Sequence, residues 1–384
     1  MSIIFTKPIN EDRLQLAYNN DVLRFRSDYT LAAKSCTISN RNDTTSLNIK
    51  LYPAPDGSFF FNFKPYITAL INTRNFEDTL QPVLDRTNAN SFVYDATPGT
   101  LLQLNVNIEI TFSDDSTDDV THTLTWLAAA AQLGNYTPLS KSNAYVLTPF
   151  AKASANAWYL KYWQGYPFDA SVYTPIKPFT VYNETNLLTQ QFNPLGVVFR
   201  WVLSNGDDDE TLEDILPLAD GHNKLRLMAG TATSDKDVFL TIHKVPYKCG
   251  VYLKWLNAMG GYSYWLFEDT YSIDRTTKQL GELNRDNDNL EDSFTRTVQV
   301  GKESQDTLKI VAELLTDSER RIAEGILDSP KIYLFTGQPY ARSDYRDWVE
   351  VVLKTTSARI KNPRQPLTNF TFDIELPVRD ALTL

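Results

Sequence analysis

The sequence predicts a mainly β fold, with two or more sandwich-like or barrel-like domains and a few short helices. Three observations predict it. Apolar residues recur at every second position through several segments, turn residues punctuate those segments, and helix signals are sparse.

The elements follow in chain order. Pro55-Asp56-Gly57 supplies turn chemistry just ahead of the aromatic run Phe59 to Phe63. Pro65 sits where a first helical turn accepts proline, so a short helix is expected over Pro65 to Asn72. Leu104, Val106, Ile108, Ile110 and Phe112 alternate with polar residues and place an apolar face on a strand. Leu127 to Leu133 suits either a strand end or a single helical turn. Asn205-Gly206 closes the apolar run Val197 to Leu203. The pattern of period two returns at Leu308, Ile310, Ala312 and Leu314, and again from Phe370 to Leu376. Between them, Thr316 and Glu319 form a capping-box pair, and Pro330 ends the helix expected over 317–328.

A chain of 384 residues exceeds the roughly 250–300 residues over which a single core keeps growing. Gly134 to Ser142, Asn205 to Asp214 and Asn284 to Asp292 have loop composition. Three segments are therefore expected: an N-terminal sandwich over 1–134, an aromatic-rich β region over 135–235, and a C-terminal β domain over 236–384. No repeat period of solenoid length is present.

The net charge of −10 argues against a protein whose main task is gripping a phosphate backbone. The start lacks a basic region followed by an apolar one, and no window reaches the ~20 apolar residues of a membrane span. Synthesis and folding in the cytoplasm are the expectation. Asn-X-Ser/Thr sequons at Asn42, Asn135, Asn183 and Asn369 carry little weight without a secretory signal.

Catalytic motifs are missing. His122, His222 and His243 are the only histidines, and no Gly-X-Ser-X-Gly elbow presents a serine to them. Cys36 and Cys249 are too few for a cysteine zinc site and suggest no disulfide framework. Asn284, Asp286 and Asp288 have the opening spacing of an EF-hand, but Asn289 stands where glycine is needed and Thr295 where a bidentate Glu is needed. Asp207 to Glu210 reads as a solvated acidic loop. Phosphate-binding glycine loops are absent. No catalytic residue, metal ligand or cofactor is assigned. A glycoside hydrolase would rest on generic carboxylates alone, whose spacing in space no sequence reveals.

Two aromatic stretches stand out. Trp158, Tyr159, Tyr162 and Trp163 form the candidate ligand platform. Were this turn helical, the residues four apart would share faces and offer rings to a sugar or a cation. The alternative is that the rings fill a core. The second stretch, Pro246 to Phe267, has two runs dense in β-branched and aromatic residues around Gly260-Gly261, which predicts a hairpin with a loop of about five residues. Neither arm has a polar face, so both faces are expected to be covered, one of them by another element or subunit. Tyr252, Trp255, Tyr264, Trp265 and Phe267 are the candidate interface residues.

This hairpin, with its Trp255-Leu256-Asn257 and Gly260-Gly261-Tyr262, resembles a recurring segment in tail proteins of tailed bacteriophages and prophages. The downstream order Tyr271-Ser272-Ile273, Val300 to Glu303, Ser329 to Leu334, Trp348 to Val351 and Phe370 to Pro377 is similar as well. So is the upstream pattern from Tyr52 to Gly57 and Phe61 to Ile71; roughly 135–235 is unmatched. The resemblance implies a non-enzymatic structural subunit of the virion at the tail tip or baseplate, of the distal-tail kind. Such a subunit would form rings with copies of itself, bind other tail proteins, and dock receptor-binding parts. It transfers no catalytic residue. A carbohydrate-binding or receptor-binding module using the 158–163 rings is the competing expectation.

Overall fold

The computed structural model describes residues 3–43, 45–132, 137–206, 210–230, 234, 236–268, 271–284, 295–336, 348–355, 357–360 and 367–379. The chain forms two compact units. The first holds Met1–Val245 and Asn257–Tyr262, the second Pro246–Leu256 and Ser263–Leu384. The expected boundary near 135 falls inside the first unit, and the one near 235 moves to Pro246. The acidic run Asp207 to Asp209 and the carboxylates Asp286 and Asp288 lie outside the described residues.

The first unit begins with β1 (Ile3–Phe5), β2 (Arg13–Leu16), β3 (Val22–Ser27), β4 (Ala33–Asn40), β5 (Asn48–Leu51), β6 (Phe59–Asn62) and α1 (Lys64–Ile71). β7 (Val93–Asp95), β8 (Leu101–Phe112), β9 (Thr117–Leu127) and β10 (Leu139–Ser140) follow. β1, β3 and β6 make a three-stranded sheet, and β10-β2-β9-β8-β4-β5 a six-stranded one. The alternation in β8 does what the sequence predicts: Leu104, Val106, Ile108, Ile110 and Phe112 are all buried. They join Phe25, Phe59 and Phe61 from the other sheet, Phe63 at the start of α1, and Ile67 and Ile71 of α1, in one core. Phe63 meets Trp126 at 5.4 Å between ring centroids, closing the sandwich. Leu127 is a strand end, which resolves the ambiguity at 127–133 for its described part.

The unit continues with β11 (Tyr145–Val146), β12 (Ala157–Trp163), β13 (Phe168–Tyr173), β14 (Phe179–Asn183), β15 (Leu188–Phe192), β16 (Val198–Ser204), β17 (Gly221–Ala229) and β18 (Val238–Val245). Sheets ordered β11-β13-β16-β7 and β12-β18-β17-β14-β15 result, with β12 parallel to β18. Rings connect the two sheets: Phe179 and Phe192 lie edge-on to Trp201, and Tyr162 sits 5.4 Å from Phe168. An aromatic core of this kind supplies large buried area per residue.

The second unit is one sheet ordered β20-β19-β23-β24-β25-β22-β21. Its strands are β19 (Gly250–Leu256), β20 (Tyr262–Glu268), β21 (Tyr271–Asn284), β22 (Thr297–Leu315), β23 (Ile332–Phe335), β24 (Trp348–Leu353) and β25 (Thr368–Glu375). The capping box forms as predicted: Thr316 N donates to Glu319 Oε2 at 3.0 Å, and Thr316 Oγ accepts from Glu319 N. The helix it starts, α2, covers Asp317–Ala323, and a 3-10 turn covers Glu324–Asp328. One alternation breaks. The β22–β25 register shifts between Ala312 and Leu315, Leu314 takes a left-handed φ of 55° and is exposed, and Leu315 turns inward instead. A bulge adds one residue and so reverses the faces beyond it.

Candidate functional site

The hairpin forms where the sequence puts it, as β19 and β20 around the loop Asn257–Gly261. Its candidate interface residues are not available to a partner. Tyr252, Trp255, Tyr264, Trp265 and Phe267 are each no more than 5 % exposed within the chain. β23 pairs with β19 on its other side, and Trp348 of β24 lies 5.9 Å from Tyr252 and 6.1 Å from Tyr264. Even Lys254 is buried, its Nζ 4.2 Å from the Trp348 ring and 5.1 Å from that of Tyr333, so aromatic faces stand in for water around the ammonium. The face without polar residues is thus covered by the chain itself, which corrects the intermolecular reading. Trp265→Glu is expected to lower folding stability by about 3–5 kcal/mol, the scale for an unpaired buried charge. A fall in soluble yield and in the thermal midpoint of the isolated chain checks this; an unchanged midpoint would return the face to a partner.

The ligand platform is corrected too. Residues 157–163 are a strand and not a helical turn. Trp158, Tyr162 and Trp163 are each at most 1 % exposed. Trp158 stacks on Phe150 at 4.5 Å and donates from Nε1 to the Thr148 carbonyl at 3.1 Å. Tyr159 is only half-buried, with its hydroxyl 3.1 Å from His243 Nδ1. Trp158, Tyr162 and Trp163 therefore fill the sandwich, and Tyr159 is the one ring of the four that stays partly exposed.

Strand register brings together what the sequence keeps apart. His222 stands opposite His243, and the two imidazoles stack at 4.2 Å. His122 Nδ1 lies 2.8 Å from Glu11 Oε1, and that contact holds the Glu11 carboxyl below its ordinary range. Cys36 is buried, which pushes its thiol up to about 12, while Cys249 is exposed. Among the described residues no group of three or more His, Cys, Asp or Glu side chains is placed to hold a metal ion. No helix among them is long and apolar enough to cross a membrane.

The feature that sequence reasoning missed is the arm made by β21 and β22. Among the described residues β21 pairs only with β22, and every one of its own described residues is exposed except Gly281, which is half-buried. β25 pairs with β22 only from Thr307 to Leu315. Among the described residues the distal part, 276–284 against 297–305, is thus a two-stranded ribbon, joined further only by a bridge at Ser304–Arg379. The arm exposes apolar side chains: Tyr271 at 50 % and Ile273 at 56 % in its base, Leu280 at 51 % and Leu283 at 57 % in the distal ribbon. A ribbon of two strands is marginal in water by itself, and an uncovered edge invites another strand. Arg275 anchors the arm's base through two hydrogen bonds to Asp306, at 2.7 and 3.0 Å, and the Asp306 carboxyl is held below the usual range by it. The available signal was faint: Tyr271, Ile273, Leu280 and Leu283 are scattered among the polar and charged residues of 271–284 and form no regular apolar face.

A second exposed edge lies in the first unit. Among the described residues β15 pairs only with β14, and Leu187, Leu188 and Leu195 around it are 71 %, 42 % and 87 % exposed.

No protein-family model matches the chain, and no curated protein matches it. Among solved structures it is similar to the fibronectin(III)-like modules of Clostridium thermocellum CbhA, at 7 % identity over 64 % of this chain and 95 % of that one, with a TM-score of 0.20. It is also similar to invasin, a bacterial integrin-binding protein, at 8 % identity over 81 % of this chain and 57 % of that one, with a TM-score of 0.22. Superpositions this loose carry no argument, and the mainly β class rests on the strand pairing described above.

Proposed function

We propose that the chain is a non-enzymatic structural subunit of a bacteriophage virion, at the tail tip or baseplate, which assembles with copies of itself into a distal-tail-like ring in the host cytoplasm and docks other tail proteins. The observation that carries the self-assembly is the arm: an edge strand exposed along its length, with apolar side chains that need a cover. The resemblance of the Pro246 to Phe267 hairpin to tail proteins supplies the context. Two distinct exposed edges, β21 and β15, suit a head-to-tail contact in which the arm of one copy meets a different surface of the next. Contacts of that kind close into rings when the rotation permits.

Mass photometry of the purified chain, alone and mixed with neighbouring virion proteins, tests the reading. Ile273→Asp with Leu283→Asp is expected to shift the ring population to monomer while moving the thermal midpoint little, since both side chains are exposed. A stable interface buries about 1,200–2,000 Å² in total, so charges at its centre weaken it at least about tenfold. A wild-type chain that stays monomeric in both settings would sink the proposal. A low-resolution electron micrograph of the particle would place the subunit.

A further inference from the structure

The first unit contains a cleft of about 590 Å³ beside β2 and β3, independent of the arm. Its polar lining comes from Lys7, Asn10, Arg13, Gln15, Asn19 and Asp21, and its apolar lining includes Ile9, Leu23, Phe63 and Leu124. The size falls in the range of about 300–1,000 Å³ usual for small-molecule sites. Two of the polar groups, Asp21 and Asn19, are held in place. Asp21 Oδ2 accepts from Trp126 Nε1 at 2.9 Å, and the Asp21 backbone is tied to Asn62 Oδ1 and to Phe63 N. The Asn19 side chain is clamped by both backbone groups of Ala131, at 2.7 and 2.8 Å.

Asp21 is costly where it stands. Burial pushes its carboxyl above the ordinary range, although Trp126, Arg13 and Lys7 pull the other way. An asparagine would keep an acceptor for Trp126 without that cost. Ionisable groups held at a cost in a cleft are characteristic of binding sites. Charge narrows the ligand class. Two cations, Lys7 and Arg13, face one anion, Asp21, so the lining is net positive in a chain of net charge −10. Amide and carboxylate side chains add paired donors and acceptors that suit hydroxyl groups.

We propose that this cleft binds a small polyhydroxylated carboxylate of the uronic-acid type, its carboxylate toward Lys7 and Arg13 and its hydroxyls on Asp21, Asn10 and Gln15. The test is titration of the full chain with glucuronate, glucose and acetate, followed by ligand-observed NMR and calorimetry. Glucuronate is expected to bind at least about tenfold more tightly than glucose or acetate, because each of those carries only half of the recognised groups. Lys7→Gln and Asp21→Asn are each expected to weaken glucuronate about three- to tenfold. The thermal midpoint should be unchanged in the first, whose residue is exposed, and unchanged or raised in the second. Glucuronate no tighter than acetate, binding that survives both substitutions, or no binding by the folded chain overturns the proposal.

Discussion

Arg200→Met is expected to destabilise the first unit by about 3–5 kcal/mol, the cost of leaving buried carboxylates without their cation. Arg200 lies on β16 and is 8 % exposed. One guanidinium nitrogen donates to Asp78 Oδ1 at 2.7 Å, and another donates to Asp169 on the adjacent strand β13. The guanidinium also lies over the Tyr262 ring, 4.6 Å from its centroid. Both carboxylates are nearly fully buried. The loss comes from stranded charge and not from lost volume, which a second variant distinguishes. Arg200→Met combined with Asp78→Leu and Asp169→Leu is expected to recover most of the stability, because apolar replacement of a whole buried ionic cluster is often neutral or favourable. Urea midpoints of the two variants check this. A triple variant less stable than Arg200→Met alone would show that the cluster contributes more than its own desolvation.

Gly260→Ala carries the second large effect, about 2–5 kcal/mol. Gly260 has a φ of +83°, a left-handed conformation that costs a residue with a Cβ about 1–2 kcal/mol. An added Cβ would also stand 2.5 Å from the Ala128 carbonyl oxygen, and overpacking of this kind costs about 1–3 kcal/mol. The neighbouring loop backbone has little freedom to move aside. Ala130 N donates to Ala258 O at 2.7 Å, and the Asn257 amide donates to Leu147 O at 3.0 Å. Gly57→Ala is the control: its φ is +76° but open space surrounds the new methyl. It is expected to cost only the conformational part, about 1–2 kcal/mol. Equal losses in the two variants would mean that the close approach to Ala128 is not what requires glycine.

These two cases mark where sequence reasoning ends. Gly260-Gly261 was legible as a turn, because glycine at the end of two β-rich runs is a local signal. That the turn is also pressed against Ala128, far away in the chain, was not. Arg200 reads as an ordinary residue inside an apolar strand; its partner Asp78 is 122 positions away. His222 and His243 likewise become neighbours only through the pairing of β17 with β18.

The sequence by itself determined the β class, the buried face of β8, the β19–β20 hairpin and the cap of α2. Each of these is set within a few residues, by side-chain alternation, turn geometry or a reciprocal hydrogen bond. The tertiary structure decided what covers each apolar face. The aromatic arms of the hairpin and the rings of β12, which composition marked for a partner or a ligand, are covered by their own chain. The arm at β21, which composition left unremarked, is left open, as is the edge at β15. Alternation states that a face is apolar, but the element that removes it from water comes from distant sequence, and only the folded arrangement of strands supplies it.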